Sequence, residues 1–291
     1  MGTVATSDVL PRSSAVRAVG QTTVIAPSKG LFHIGFEALW EYRELLYFLV
    51  WRDIKVRYKQ TAIGTIWAVL QPLLTMMIFA LIFGRFAKIP SDNVPYPIFA
   101  FAGLLPWTYF SQAISRSGMS LVGDANLIRK IYFPRMTIPM SSVISPLVDF
   151  ALSLAILAVM MVWYRVTPSW AILASPLFMG LAVLTAFGTS LWLSALNVRY
   201  RDVGHAIPFL VQFWMYASPI VYPASIIPKV WRPFYNLNPM AGVAEGFRWG
   251  LLSKQAPDFQ GIGIGVAVTL VLVISGLVFF KRMERTFADV V

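Results

Sequence analysis

Cysteine is absent from the 291 residues of this chain, and histidine occurs only twice, at His33 and His205. Disulfide bonds and thiol chemistry are therefore excluded, and the two distant histidines offer no spacing that would hold a metal ion. No glycine directly precedes a lysine, so the chain lacks a phosphate-binding loop of the G-x-x-x-x-G-K-[ST] type. If the protein moves a substrate against a gradient, nucleotide energy has to come from another chain.

Charged residues are also scarce, at 13% of the chain, whereas hydrophobic residues make up 57%. Soluble domains carry about 25% charged residues, so this composition indicates a polytopic membrane protein. The net charge of +11 is compatible with nucleic-acid binding. We favour a different interpretation, in which lysine and arginine set the membrane topology and contact lipid headgroups, and we expect membrane lipids but no nucleic acid among the partners.

Apolar runs predict six transmembrane helices, at about residues 63–84, 96–114, 138–163, 170–196, 207–222 and 262–280. With both termini placed in the cytoplasm, 17 of the 24 lysines and arginines fall in cytoplasmic segments and seven in external ones. This bias agrees with the positive-inside rule. The sequence therefore predicts an all-α polytopic membrane protein whose transmembrane domain covers residues 62–285.

The segments outside the six spans have different patterns. Residues 1–30 show no hydrophobic period and are predicted to form a mobile cytoplasmic tail, and residues 286–291 a short cytoplasmic C-terminal tail. Residues 31–61 combine a helical apolar period with charge, which predicts an N-terminal amphipathic helix in the membrane interface. Prolines interrupt residues 223–252 too often for one continuous helix, so we expect short re-entrant helices there, covered by protein.

Asp149 is the one carboxylate that the sequence places well inside a span. An acid at that depth is either a functional group or a residue paired with other polar groups in the bundle. Pairing is favoured, because no second acid or histidine accompanies Asp149 to relay a proton. Glu245 and Arg248 are one helical turn apart, and this spacing predicts a structural ion pair.

Aromatic residues are abundant, at 14% of the chain with ten tryptophans. Anchoring in the membrane interface explains most of them. Aromatic faces also stack on the apolar C–H patches of sugar rings, so a pathway for a glycan would need them at its wet mouths. The candidates on this ground are Trp40, Trp51, Tyr58, Trp67 and the run from Phe209 to Tyr216.

Five stretches together resemble the permease subunits of ABC-2 type exporters, in the branch that exports O-antigen, capsular polysaccharide and teichoic acid. The stretches are LVWRDIKVRY at 49–58, IGTIWAVLQP at 63–72, NLIRKIYFPR at 126–135, NVRYRD at 197–202 and NPM at 238–240. The resemblance covers about residues 36–285. It implies the ABC-2 permease fold, with an interface helix around residues 36–47 and re-entrant helices between spans 5 and 6.

The same resemblance implies partners and a cargo. The permease would be a homodimer in the cytoplasmic (inner) membrane, joined to two copies of a separate ATPase that binds ATP and Mg²⁺. This chain would bind no cofactor itself and would not be an enzyme. The cargo would be a lipid-linked polysaccharide, which needs a continuous wet path without a tight binding site.

Three groups of site residues follow from the resemblance and from the aromatic pattern. The substrate path is expected to contain Trp67, Gln71, Phe209, Gln212, Phe213 and Tyr216. The cytoplasmic opening and the interface helix are expected to contain Trp40, Tyr47, Trp51, Arg52, Arg57 and Tyr58. Coupling to the ATPase is assigned to Asn126, Arg129, Lys130, Tyr132, Phe133 and Arg135, with Phe133 and Arg135 on an exposed loop.

Three alternatives remain open. The first alternative is an ABC-2 permease for a lipid or a drug. The second is an integral membrane enzyme that acts on a lipid-linked sugar, and the third is a proton-coupled carrier. The enzyme would need a carboxylate or histidine cluster at one membrane face, and the carrier would need paired intramembrane ionisable groups or inverted repeats. Neither pattern is present in the sequence, so the exporter remains the preferred hypothesis.

Overall fold

A computed structural model describes residues 36–59, 64–92, 94–168, 170–252 and 256–287. All regular structure within these ranges is helical. The predicted tail at 1–30 and most of the predicted tail at 286–291 lie outside the described residues. The structure therefore bears out an all-helical chain, and the two tails stay predictions.

Twelve α-helices follow one another along the described ranges. They are α1 (Phe36–Glu41), α2 (Arg43–Lys59), α3 (Gly64–Phe79), α4 (Tyr96–Gly123), α5 (Ala125–Lys130), α6 (Thr137–Ile144), α7 (Leu147–Trp163), α8 (Ser175–Arg199), α9 (Asp202–Tyr216), α10 (Arg232–Asn236), α11 (Pro239–Leu252) and α12 (Phe259–Glu284). A π-helical stretch, Ala80–Phe86, continues α3, and 3₁₀ turns lie at Trp170–Ala174 and Ala224–Ile226.

Four helical stretches of the described residues are long and apolar enough to cross a membrane: Val69–Phe86, Thr137–Trp163, Trp170–Arg199 and Phe259–Glu284. They lie where the sequence predicts spans 1, 3, 4 and 6. The predicted spans 2 and 5 correspond to α4 and α9, which do not meet the same criteria. Helix α9 has 15 residues and is about 22 Å long, shorter than the hydrocarbon core of about 30 Å. The count of six spans therefore stays a prediction.

Helix α4 is the central helix of the bundle. It packs against α3, α6, α7, α8, α9 and α11, and most of its 28 residues are buried. A helix surrounded by other helices meets little lipid, so it tolerates polar and helix-breaking residues that a lipid-facing span would not. This position explains why α4 contains Pro106, Gln112 and Arg116 and is less apolar than the other long helices.

Helices α8 and α12 approach each other closely through glycine. A Cβ atom on Gly188 would lie 2.8 Å from the backbone nitrogen of Val273, and one on Gly276 would lie 2.8 Å from the carbonyl oxygen of Gly188. The hydroxyl groups of Thr185 and Thr269 are 2.9 Å apart in the same interface. Small residues thus bring the two backbones into contact, as is common between membrane helices.

Arg248 of α11 binds the segment that follows α9. Its guanidinium donates to the carbonyl oxygens of Pro219 (2.6 Å), Ile220 and Phe99 (3.2 Å), and it lies over the Phe99 ring at 3.8 Å. Glu245 instead accepts a hydrogen bond from the Tyr235 hydroxyl at 3.0 Å. The predicted ion pair between Glu245 and Arg248 is therefore wrong, because main-chain carbonyls distant in sequence take the guanidinium.

Asn238 makes the second connection between α11 and α9. Its Oδ1 accepts from the indole N–H of Trp214 at 2.8 Å and from the backbone N–H of Met240 at 3.1 Å, while Nδ2 donates to Ser218 at 2.8 Å. The side chain therefore caps the first turn of α11 and holds the end of α9 at the same time. The region predicted as re-entrant, 223–252, is built of the short helices α10 and α11, and its depth in the membrane stays a prediction.

Candidate functional site: the segment between α4 and α6 and the exposed helix faces

Arg52 joins α2 to the junction between α4 and α5. Its Nη1 and Nη2 donate to the two carboxylate oxygens of Asp124 at 2.9 and 2.8 Å, a bidentate arrangement. Nε and Nη2 also donate to the neighbouring Asp53 at 3.1 and 3.0 Å. The hydrogen bonds that Arg52 donates to Asp124 raise the pKa of Arg52 above its ordinary value. Paired charges in this geometry are among the stronger polar contacts in proteins.

Asp149 receives two partners from the end of α2. The buried carboxylate forms an ion pair with Arg57 and accepts a hydrogen bond from the Tyr58 hydroxyl. The interpretation that Asp149 is paired inside the bundle is thereby confirmed. Together with the Arg52 contacts, these bonds fasten α2 to α7 and to the start of α5.

The segment from Asp124 to Arg135, here called segment 124–135, contains the six predicted coupling residues. Tyr132 is 75% exposed, and Asn126, Arg129 and Lys130 are also exposed. Phe133, in contrast, is buried in a cluster with Ile128, Leu49, Phe280 and Phe287. The expectation that Phe133 is exposed is therefore wrong. Phe133 packs on the buried side of the segment, and Tyr132 is the aromatic residue on the exposed side.

The far end of segment 124–135 is bound to the end of α12. The backbone N–H of Arg135 donates to the Glu284 carboxylate at 3.2 Å, and the Arg135 guanidinium donates to the main-chain carbonyl of Glu284. Lys281 lies 3.5 Å from the same carboxylate. Arg135, expected to be exposed, is thus partly buried against α12.

The six residues predicted for the substrate path lie on two exposed helix faces. Trp67 and Gln71 are on α3, and Phe209, Gln212, Phe213 and Tyr216 are on α9. All six side chains are exposed in the single chain. The structure therefore places these residues on open surfaces, and their contact with a substrate stays a prediction.

The predicted cytoplasmic opening divides into two kinds of residue. Trp40, Tyr47 and Trp51 are exposed, and the guanidinium of Arg43 and the ammonium of Lys55 lie 5.6 and 5.9 Å from the rings of Trp40 and Trp51. Arg52, Arg57 and Tyr58, described above, are partly buried and bonded to aspartates of the bundle. The exposed aromatic and basic residues fit a helix at the membrane interface, whereas the bonded ones fasten that helix.

Asp124 and Glu284 have structural partners that sequence analysis did not identify. Arg52 and Asp124 are 72 residues apart and Arg135 and Glu284 are 149 apart, so no local pattern connects them. Within the part of the chain that the structure describes, no three histidine, aspartate or glutamate side chains come together as a metal ion would require.

Comparison with known proteins shows which family this chain resembles. Residues 44–252 match the family described as ABC-2 type transporter. The chain is 30% identical over 254 residues to the O-antigen export system permease protein RfbA of Myxococcus xanthus, covering 86% of this chain and 96% of that protein. It is also 30% identical over 251 residues to the RfbA protein of Klebsiella pneumoniae, with 85% and 95% covered. Identity to the polysialic acid transport protein KpsM of Escherichia coli is 24% over 242 residues, with 80% and 91% covered.

Proposed function

Because the chain belongs to the ABC-2 type transporter family, we propose that it is the permease subunit of an exporter of lipid-linked polysaccharide, of the O-antigen kind, across the cytoplasmic membrane. The observation that carries this proposal is the similarity to O-antigen export permeases over 95–96% of their length. Both termini of the chain lie in the cytoplasm in this arrangement, as the distribution of lysine and arginine supports.

The energy comes from a separate ATPase subunit, two copies of which serve two copies of this chain. The sequence supports the separation, because it contains no phosphate-binding loop. Segment 124–135 is the surface we assign to the ATPase: its exposed residues Asn126, Arg129, Lys130 and Tyr132 form a basic and aromatic patch. ATP and Mg²⁺ are bound by the partner and not by this chain.

The substrate path lies between the exposed faces of α3 and α9 contributed by the two copies. These faces carry aromatic rings and amides, and their six predicted residues include no ionisable side chain other than the tyrosine hydroxyl. Such a surface can stack on sugar rings and bond hydroxyl groups without holding any one repeat tightly. A long polymer requires this property, because every repeat has to leave as readily as it enters.

The proposal is tested by depleting the chain and measuring lipid-linked glycan on each side of the cytoplasmic membrane. We expect glycan to accumulate on the cytoplasmic side and surface glycan to fall, and re-expression of the intact chain should restore both. Depletion of the ATPase subunit serves as a matched control and should give the same accumulation. Normal surface glycan without internal accumulation would contradict polysaccharide export and favour a lipid or drug as the cargo.

A further inference from the structure

Segment 124–135 is fastened to a different helix at each of its two ends. We propose that these two attachments, Arg52 with Asp124 and Glu284 with Arg135, make α2, segment 124–135 and the end of α12 move as one body when the ATPase acts on the segment. Arg52, Asp124 and Glu284 are then positioning residues for energy transfer. This inference deepens the proposed function and rests on it.

The short helix α5 cannot supply this rigidity by itself. It has six residues, whereas isolated helices of fewer than about 12–15 residues are marginal in water. Its order therefore depends on contacts with the rest of the chain. Ile128 and Phe133 provide an apolar underside that is buried in the cluster with Leu49 and Phe280, and the two polar attachments fix the ends.

The attachment at the start is placed where it controls the direction of α5. Asp124 is the single residue between α4 and α5, so its carboxylate marks the point at which the chain turns. Both of its oxygens are bound by the Arg52 guanidinium. A bidentate pair restricts orientation as well as distance, so we expect a tilt of α5 to move α2 with it.

The attachment at the end uses the main chain of Arg135 as well as its side chain. The Glu284 carboxylate accepts the Arg135 backbone N–H, and the Glu284 carbonyl accepts the Arg135 guanidinium. Phe287, just beyond, is fully buried with its ring centroid 5.3 Å from that of Phe280. The end of α12 thus holds segment 124–135 through polar contacts of Glu284 and is itself packed by the aromatic pair Phe280 and Phe287.

The two attachments determine which helices move when segment 124–135 is displaced. Helix α2 precedes α3 directly along the chain, and the exposed face of α3 carries Trp67 and Gln71. Helix α2 is also bound to α7 through Asp149. A push on the segment therefore reaches the start of α3 through α2, and the Arg52–Asp124 pair is the first bond that carries it.

A first experiment measures the glycan exported for each ATP hydrolysed by the intact complex of permease and ATPase in lipid vesicles. We expect Arg52→Ala and Glu284→Ala to retain the ATPase subunit but to lower this ratio by about tenfold, the size of a typical coupling effect between sites. Arg43→Ala is the matched control on α2, because the polar contacts of Arg43 among the described residues go to the carbonyl and the ring of Trp40 in α1. Glu284→Gln keeps the acceptor for the Arg135 N–H and should retain most of the ratio.

The reversed pair Arg52→Asp with Asp124→Arg separates positioning from folding. We expect the double variant to recover a substantial part of the ratio that either single variant loses. Equal ratios in Arg52→Ala and the intact protein would overturn the inference, and so would a double variant that is no better than the single ones although all are inserted at normal levels.

A second experiment links positions 52 and 124 covalently in place of the Arg52–Asp124 ion pair. The chain has no cysteine, so Arg52→Cys with Asp124→Cys introduces the only thiol pair, which a short bifunctional thiol reagent can bridge. We expect the bridged protein to export better than the unbridged double variant, because the bridge replaces the lost ion pair. Export that stops on bridging would show that α2 and α5 must separate, and the inference would be wrong.

The failure of this inference differs from a failure of the proposed function. If the intact complex moves no glycan, the proposed function fails, and the positioning residues are then judged on ATP hydrolysis alone. A permease that transmits motion through these bonds stimulates its ATPase, whatever the cargo. Loss of that stimulation in Arg52→Ala, with stimulation retained in Arg43→Ala, would still support the inference.

Discussion

Arg248 shows how one buried cation is hydrogen-bonded by main-chain carbonyls instead of by a carboxylate. Its guanidinium donates to the carbonyl groups of Phe99, Pro219, Ile220 and Tyr222. A buried carbonyl without a donor costs about 1–3 kcal/mol, and Pro219, Ile220 and Tyr222 lie in a non-helical segment, where no helical hydrogen bond serves their carbonyls. One side chain therefore satisfies several acceptors and joins α11 to α4 and to the segment after α9.

Gly103 leaves the space that this guanidinium occupies, and the first prediction concerns it. In Gly103→Ala, the new Cβ would meet the Arg248 guanidinium, which can retreat only by breaking bonds to the carbonyls. We expect a loss of about 2–4 kcal/mol in the free energy of unfolding, measured by thermal unfolding of the purified protein through tryptophan fluorescence.

Gly180→Ala is the control for this prediction. Gly180 lies in α8, and a Cβ atom there would meet nothing within 4 Å. Alanine is a better helix former than glycine, so this variant should be at least as stable as the intact protein. Equal stability of the two variants would contradict the role assigned to Gly103.

The predictions that failed at this scale share a cause. The spacing of Glu245 and Arg248 favoured an ion pair, and the loop position of Phe133 favoured exposure. Both interpretations used local sequence, whereas the true partners of Arg248 lie 26 to 149 residues away. The sequence could predict that Asp149 has a partner, because a lone acid inside a span requires one. It could not identify Arg57 and Tyr58 as the two partners.

At the scale of elements, the contact between α8 and α12 depends on two glycines, Gly188 and Gly276, each of which faces the backbone of the other helix. We predict that Gly188→Ala and Gly276→Ala each destabilise the protein by about 1–3 kcal/mol, because the added methyl group forces two packed backbones apart. The thermal unfolding assay checks this expectation.

Gly263 provides the comparison within α12, since a Cβ atom there would meet open space. Gly263→Ala should leave stability unchanged or raise it slightly. A similar loss in all three alanine variants would contradict the role assigned to the close approach of α8 and α12, because alanine at Gly263 meets no atom of a neighbouring helix and favours the helix.

The positions of the elements were largely predictable from sequence, and their attachments were not. Apolar runs predicted the helices that form the four apolar stretches, and prolines predicted the short helices α10 and α11. Hydropathy could not show that α4 is central, because burial by neighbouring helices leaves no local signal. The ends of segment 124–135 were likewise invisible, because α2 and α12 reach it from distant parts of the chain.

The topology of the whole molecule is open to a direct test, because the chain contains no cysteine. Single cysteines at the exposed residues Thr167, Lys229, Asn126 and Arg201 can each be labelled with a membrane-impermeant thiol reagent. With six spans and cytoplasmic termini, we expect labelling from outside at Thr167→Cys and Lys229→Cys only. Permeabilised cells, in which all four variants should react, provide the control.

A chain in which α4 and α9 did not cross would give a different pattern. Asn126→Cys and Arg201→Cys would then react from outside, and Thr167→Cys would not. This outcome would contradict the six-span prediction and would also place segment 124–135 out of reach of a cytoplasmic ATPase. The labelling pattern therefore tests the orientation and the proposed partner surface together.

The attachments of Arg248 also impose an order on how the molecule is made. Synthesis runs from the N-terminus, so Phe99 and the carbonyls of Pro219, Ile220 and Tyr222 are made before α11 is. Until α11 is made, these carbonyls have no Arg248 guanidinium from which to accept a hydrogen bond. The junction between α4, the segment after α9 and α11 is therefore completed late, when Arg248 reaches the carbonyls that were made before it.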